Sequence, residues 1–152
     1  MLVCQLFRHC KSLGKNIIDT LDDLHKAYGY YRDTSIAYAY PGADGAKRIS
    51  AIMRSLREQT PERIGEFRVL EAIDYAPPQP MPVLNARDGR TPQMLPCEDA
   101  IELRLEGDSK LIVRPSGTEP KIKAYLFAHA HSKAEADALT YELEAAIRDM
   151  LE

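Results

Sequence analysis

The sequence predicts an α+β fold: an antiparallel sheet of four to five strands with helices packed on one face, preceded by a helical tail. Three observations carry that expectation. Short turn signals, Gly107-Asp108 and the stretch 115–120, join strand-like runs so closely that only hairpins fit, and hairpins pair antiparallel. The run Ile101 to Glu106 alternates apolar and charged residues, the pattern of a sheet covered on one side. The helical runs each show a single apolar stripe, as helices do when they lie on such a face.

The elements follow in chain order. Leu2, Val3, Leu6, Cys10 and Leu13 recur at helical spacing until Gly14 breaks the run. Asn16 is a good N-cap for a second helix, with Ile17, Ile18, Leu21, Leu24 and Tyr28 on one face and Gly29 placed to end it. An apolar helix that starts at residue 1 without a cap or a polar lead-in reads as part of a longer chain. Residues 1–30 are therefore expected to close a preceding domain, and 31–152 to form a domain of their own. Thr34 to Tyr40 is rich in aromatic and β-branched residues and reads as a strand. Pro41-Gly42 turns the chain, and Ile49, Ile52, Met53 and Leu56 mark a helix that stops before Thr60-Pro61.

Ile64 to Tyr75 reads as a second, less regular strand. Residues 76–97 hold six prolines and the turn pair Asp88-Gly89, and a loop of that length is usually functional or ties layers together. Ile101, Leu103 and Leu105 form the inward face of the next strand. Gly107-Asp108 turns it into Lys110-Leu-Ile-Val-Arg114. The last strand sets Ile122, Ala124, Leu126 and Ala128 on one side. Ser132, with Glu135 three residues later, is a capping box, and Leu139, Leu143, Ile147 and Met150 give the final helix its buried face.

Composition narrows the function. The chain has 152 residues, 45% hydrophobic and 28% charged, enough for a core without covalent staples. Cys4, Cys10 and Cys97 are odd in number and lack CxxC spacing, which points to reduced thiols and a cytoplasmic protein rather than to disulfides or zinc. A net charge of −3 removes the term that dominates nucleic-acid affinity, and no apolar run approaches a membrane span. Neither a nucleic acid nor a membrane is an expected partner. His129 and His131 lack partners at ligand spacing, so no metal site is assigned to them.

One turn carries more chemistry than a hairpin needs. Between Lys110–Arg114 and Lys121–Ala128 lie Pro115, Ser116, Gly117, Thr118, Glu119 and Pro120. Hydroxyls and N–H groups clustered there can form an anion-binding nest. Arg114 ends the incoming strand, and its planar fork suits a phosphate. Lys123 stands two residues into the outgoing strand, opposite in face to Ile122, within reach of the same anion. There is no GxxxxGK[ST] and the segment leaves into a strand, so the turn is no nucleotide loop. From the residues alone, a plain solvated turn stays an open alternative. So does a non-enzymatic α/β module that binds a phosphorylated partner or RNA through its sheet.

The unbroken stretch Arg114-Pro-Ser-Gly-Thr-Glu-Pro120 resembles the C-terminal phosphate-binding signature of the α-D-phosphohexomutases, the phosphoglucomutase/phosphomannomutase family. Gly14 to Leu24 is similar to the helix that ends that family's third domain, and Tyr28-Gly-Tyr-Tyr31 to the crossing into the fourth. The resemblance covers essentially the whole chain. It implies a parent enzyme that moves a phosphoryl group between the 1 and 6 positions of a hexose phosphate, with a phosphoserine, Mg²⁺ and a hexose 1,6-bisphosphate intermediate. It implies that Arg114, Ser116, Gly117, Thr118 and Lys123 grip the phosphate that is not reacting, while Glu119 and Pro120 shape the turn. The family's phosphoserine (TASHNP-like), metal (DGDxDR-like) and sugar (GEESGH-like) loops do not occur in these residues. The expected partners are thus a hexose phosphate and the other domains of a parent mutase, and the chain alone is expected to be inactive.

Overall fold

The computed structural model describes residues 2–76 and 97–151. The body of the proline-rich loop expected at 76–97 lies outside the described residues.

Two helices open the chain, α1 (Leu2–Ser12) and α2 (Ile17–Tyr28). Asn16 caps α2 through its side-chain oxygen, which accepts from the N–H groups of Ile18 at 2.8 Å and Asp19 at 2.9 Å. The Asp19 carboxylate in turn accepts from the Asn16 N–H at 3.0 Å, so the start of the helix is satisfied reciprocally. Gly29 ends α2 with a φ of +92°, a conformation that few side chains tolerate.

Strand β1 (Tyr30–Ala39) follows at once, four residues ahead of the strand expected at Thr34. The reason is tertiary. Every residue of β1 pairs with β6 (Lys121–Ala130), from Tyr30 opposite Ala130 to Ala39 opposite Lys121. That ladder extends the strand past what local propensity supports. Helix α3 (Gly45–Glu58) comes next, then β2 (Arg63–Ile64) and β3 (Phe67–Asp74). The single irregular strand expected at 64–75 is thus two, because Gly65 at φ +57° folds the chain back on itself. The remaining elements are β4 (Ile101–Leu105), a 3-10 turn at Glu106–Asp108, β5 (Lys110–Pro115), β6 and α4 (Lys133–Leu151).

The sheet has six strands in the order β1-β6-β5-β4-β3-β2, one more than the upper expectation, with every neighbouring pair antiparallel. Its covered face supplies Leu103, Leu111, Val113, Ile122 and Leu126, all fully buried. Ile49, Met53 and Leu56 of α3 join them, with Leu143, Ile147 and Leu151 of α4, in one core. Helix α4 lies against β6 and β1, where the small Ala124 and Ala128 leave it room. Ser132 caps α4 as expected: its hydroxyl accepts from the Glu135 N–H at 3.3 Å, and the Glu135 carboxylate accepts from the Ser132 N–H.

The other sheet face carries Lys123, Tyr125, Phe127 and His129 of β6, all half-buried. His129 marks the joint with the helical tail. Its ring stacks on Tyr31 at 4.5 Å, with Nε2 3.3 Å from the Tyr28 carbonyl. The tail itself is thinly packed. Cys10 is buried, whereas Leu2, Leu6, Leu13, Leu21 and Leu24 are exposed.

Candidate functional site

The turn at 116–120 closes the β5–β6 hairpin at one end of the sheet. Its shape is held by backbone bonds. The Ser116 N–H donates to the Lys121 carbonyl at 2.8 Å, and the Lys121 N–H donates to the Glu119 carbonyl at 2.7 Å. The Tyr40 N–H donates to the Pro120 carbonyl at 2.9 Å and so fastens the turn to the end of β1. The Lys121 ammonium pairs with the Glu119 carboxylate, whose pKa is held below its ordinary 4.5 by that hydrogen bond first and by the positive charge second. Lys121 is therefore committed within the turn.

What the turn leaves unused is a set of donors. Among the described residues, the N–H groups of Gly117, Thr118 and Glu119, the Ser116 and Thr118 hydroxyls and the Lys123 ammonium have no hydrogen-bond or ion-pair partner. A Cβ built on Gly117 would meet nothing within 4 Å, and the residue's φ lies outside the left-handed region. Neither close packing nor backbone conformation requires a glycine there. Gly117, Thr118 and Glu119 are all exposed.

Arg114 and Lys123 face one another across the β5–β6 ladder, on the side of the sheet away from the helices. The sequence-predicted residues do not all line one pocket. A pocket of about 350 Å³ on the helix side is lined by Ser116, Gly117 and Thr118 together with Ala46 and Ser50 of α3 and with Asp99, but not by Arg114 or Lys123. The turn is the rim where the two faces meet, with hydroxyls and N–H groups along it and two cations beside it.

Sequence reading missed the α3 wall and the carboxylate of Glu98, whose Oε1 lies 3.0 Å from the Arg114 guanidinium. A signal for Glu98 was present. The hairpin at Gly107-Asp108 sets Leu103 opposite Leu111 and Ile101 opposite Val113, so the residues just before β4 must lie beside Arg114. The α3 wall had no such signal, because it depends on how the helix packs.

A second pocket, about 470 Å³, lies at the far end of β6, bordered by Asp108, His129, His131, Glu135 and Glu142. Three carboxylates, Asp108, Glu135 and Glu142, border it and, among the described residues, no lysine or arginine does, whereas the turn has Arg114 and Lys123 beside it. Among the described residues, no three His, Cys, Asp or Glu side chains converge as a metal site, and no helix is long and apolar enough to cross a membrane.

Comparison with known proteins bears on what this rim belongs to. The family described as "Phosphoglucomutase/phosphomannomutase, C-terminal domain" matches residues 65–146, more than half of the chain. A phosphoglucomutase of Staphylococcus haemolyticus is 32% identical over 117 residues, covering 76% of this chain and 21% of that protein. A probable phosphomannomutase of Haemophilus influenzae is 30% identical over 146 residues, 96% of this chain and 26% of that protein. The chain thus spans about a quarter of the length of these relatives. The crystal structure of pp63/parafusin, a Paramecium phosphoglucomutase in its open form, superposes over 89% of this chain and 23% of its own, with a TM-score of 0.51 at 12% identity. That likeness shows the fold. With the family match and the sequence relatives beside it, the chain belongs to the phosphoglucomutase/phosphomannomutase family and carries its C-terminal domain.

Proposed function

We propose that this chain is the phosphate-gripping part of a hexose phosphate mutase, holding the phosphate that does not react while a phosphoryl group moves between the 1 and 6 positions of the sugar. The observation that carries the reading is the unused donor set of the turn: three backbone N–H groups, two hydroxyls and the Lys123 ammonium, around a glycine that the fold does not require. Such a nest, with Arg114 beside it, offers N–H, O–H and cationic groups of the kind that bind a phosphate.

Hydrogen bonds to a charged group contribute roughly 1.5–3 kcal/mol each. Two or three of them, after the entropy cost of association, leave about 4 kcal/mol, a dissociation constant near 1 mM. In a closed parent enzyme the same contacts act as remote binding energy that orients the sugar and helps exclude water. Residues 1–30 fit the end of the preceding domain and 31–152 the gripping domain, in keeping with the exposed apolar side chains of α1 and α2. The Mg²⁺ and hexose 1,6-bisphosphate of a mutase belong to the parent. The described residues of this chain offer no ligand set for the metal, so no step is routed through it here.

The test is calorimetric titration of the 152-residue chain and its Arg114→Ala variant with glucose 1-phosphate, alongside a mutase assay. The reading expects millimolar-range binding by the wild type, binding by the variant weakened about tenfold or more, and no turnover by either. Equal affinity of the two proteins contradicts the clamp, and turnover above a blank contradicts the division of labour.

A further inference from the structure

We propose that Glu98 is a built-in counter-ion of the clamp, whose carboxylate competes with the substrate phosphate for Arg114 and so sets how strong an anion must be to bind. The proposal rests on the phosphate reading given above and deepens it.

The Glu98 carboxylate meets the Arg114 guanidinium at 3.0 Å. A carboxylate offers a guanidinium the same pair of oxygens as a phosphate does, with less charge, so the two compete for one fork. The backbone that carries Glu98 is pinned. Its N–H donates to the Tyr75 carbonyl at 2.9 Å, its carbonyl accepts from Ala100 at 2.8 Å, and the Tyr75 N–H donates to Ala100 at 2.9 Å. The adjacent Asp99 pairs with Arg57, which also holds Asp74 at 3.0 Å. The side chain, in contrast, is 57% exposed and meets a guanidinium that is 38% exposed, so it can swing off without disturbing the fold.

The neighbouring cations differ in their partners. Lys121 is held by Glu119 inside the turn, and Lys123 has no ion-pair or hydrogen-bond partner among the described residues. Of the two cations that face each other across the β5–β6 ladder, Arg114 carries an ion-pair partner among the described residues and Lys123 does not. An exposed pair of this kind is weak, so Glu98 trims affinity and does not block the site. A dianionic phosphate displaces it, whereas a lone carboxylate gains nothing by the exchange.

The experiment is an NMR titration of the 152-residue chain with inorganic phosphate and with glucose 1-phosphate, in wild type, Glu98→Gln and Glu142→Gln. The last variant removes the same charge at the far end of the sheet, away from the turn. Glu98→Gln is expected to bind both ligands about two- to five-fold more tightly, with Glu142→Gln closer to wild type. Unchanged or weaker binding by Glu98→Gln overturns the proposal, provided the wild type responds. So does an equal gain in Glu142→Gln, which assigns the effect to net charge. A response in Glu98→Gln alone supports a stronger version, in which the carboxylate holds weak ligands off altogether. If no protein responds to phosphate, the phosphate reading itself fails and takes this one with it.

Discussion

A methyl group added at Gly117 would stand in open space, and one added at Gly45 would lie 1.9 Å from the Tyr40 carbonyl oxygen. The two glycines therefore exist for different reasons, and substitution separates them. Gly45→Ala forces backbone apart where α3 meets the end of β1, and is expected to cost about 1–3 kcal/mol. Gly117→Ala meets nothing beyond its own chain neighbours and should leave stability within about 0.5 kcal/mol of wild type, while its methyl is expected to narrow an anion's approach to the adjoining N–H groups. Thermal melts of both variants, with a phosphate titration of the second, check the pair of outcomes. A Gly117→Ala protein that is stable and binds as before contradicts the nest. At this scale the sequence was informative about which residues gather at the turn. Their arrangement is a matter of pairing: the ladder sets Arg114 against Lys123, and the hairpin register, legible at Gly107-Asp108, brings Glu98 to Arg114, whereas the α3 wall left no signal.

At the scale of elements, the ends of the chain's order are tied together. The Tyr40 hydroxyl, at the exit of β1, donates to the Leu151 carbonyl in the last turn of α4 at 2.6 Å. Burial raises the Tyr40 phenol above its ordinary 10.0, against a smaller lowering by Arg48. A raised folded-state value means that this contribution is fully present below pH 10 and is lost as pH rises through the folded value. Tyr40→Phe should cost about 1 kcal/mol near neutral pH. The gap to wild type should narrow in melts at about pH 11. A constant gap across that range contradicts the assignment.

The element order was legible because its signals are local. Ser132 and Glu135 announce α4, Asn16 announces α2, and Gly107-Asp108 announces the hairpin. The misreadings share a cause. The early start of β1 is imposed by β6, a partner some 90 residues away, and the extra strand β2 by a single left-handed glycine between Ile64 and Glu66. Neither leaves a periodic trace.

For the whole molecule, the contrast is between a sheet domain with one continuous core and a tail that is apolar but uncovered. Leu2, Val3 and Phe7 of α1 and Ile18 and Leu21 of α2 are each at least half exposed. In sedimentation velocity the chain is expected to self-associate as concentration rises, through this tail. Replacing Phe7 and Leu21 by serine should return it to a monomer, and a wild type that stays monomeric throughout contradicts the expectation. The sheet domain is where binding is read. The most direct test is an amide-resolved NMR titration of the 152-residue chain with glucose 1-phosphate, with plain glucose as control. The account predicts shifts at residues 114–123, centred on Gly117 and Thr118, with the phosphorylated sugar and none with glucose. Shifts elsewhere, equal shifts with glucose, or none up to several times the roughly 1 mM dissociation constant argued above would contradict it.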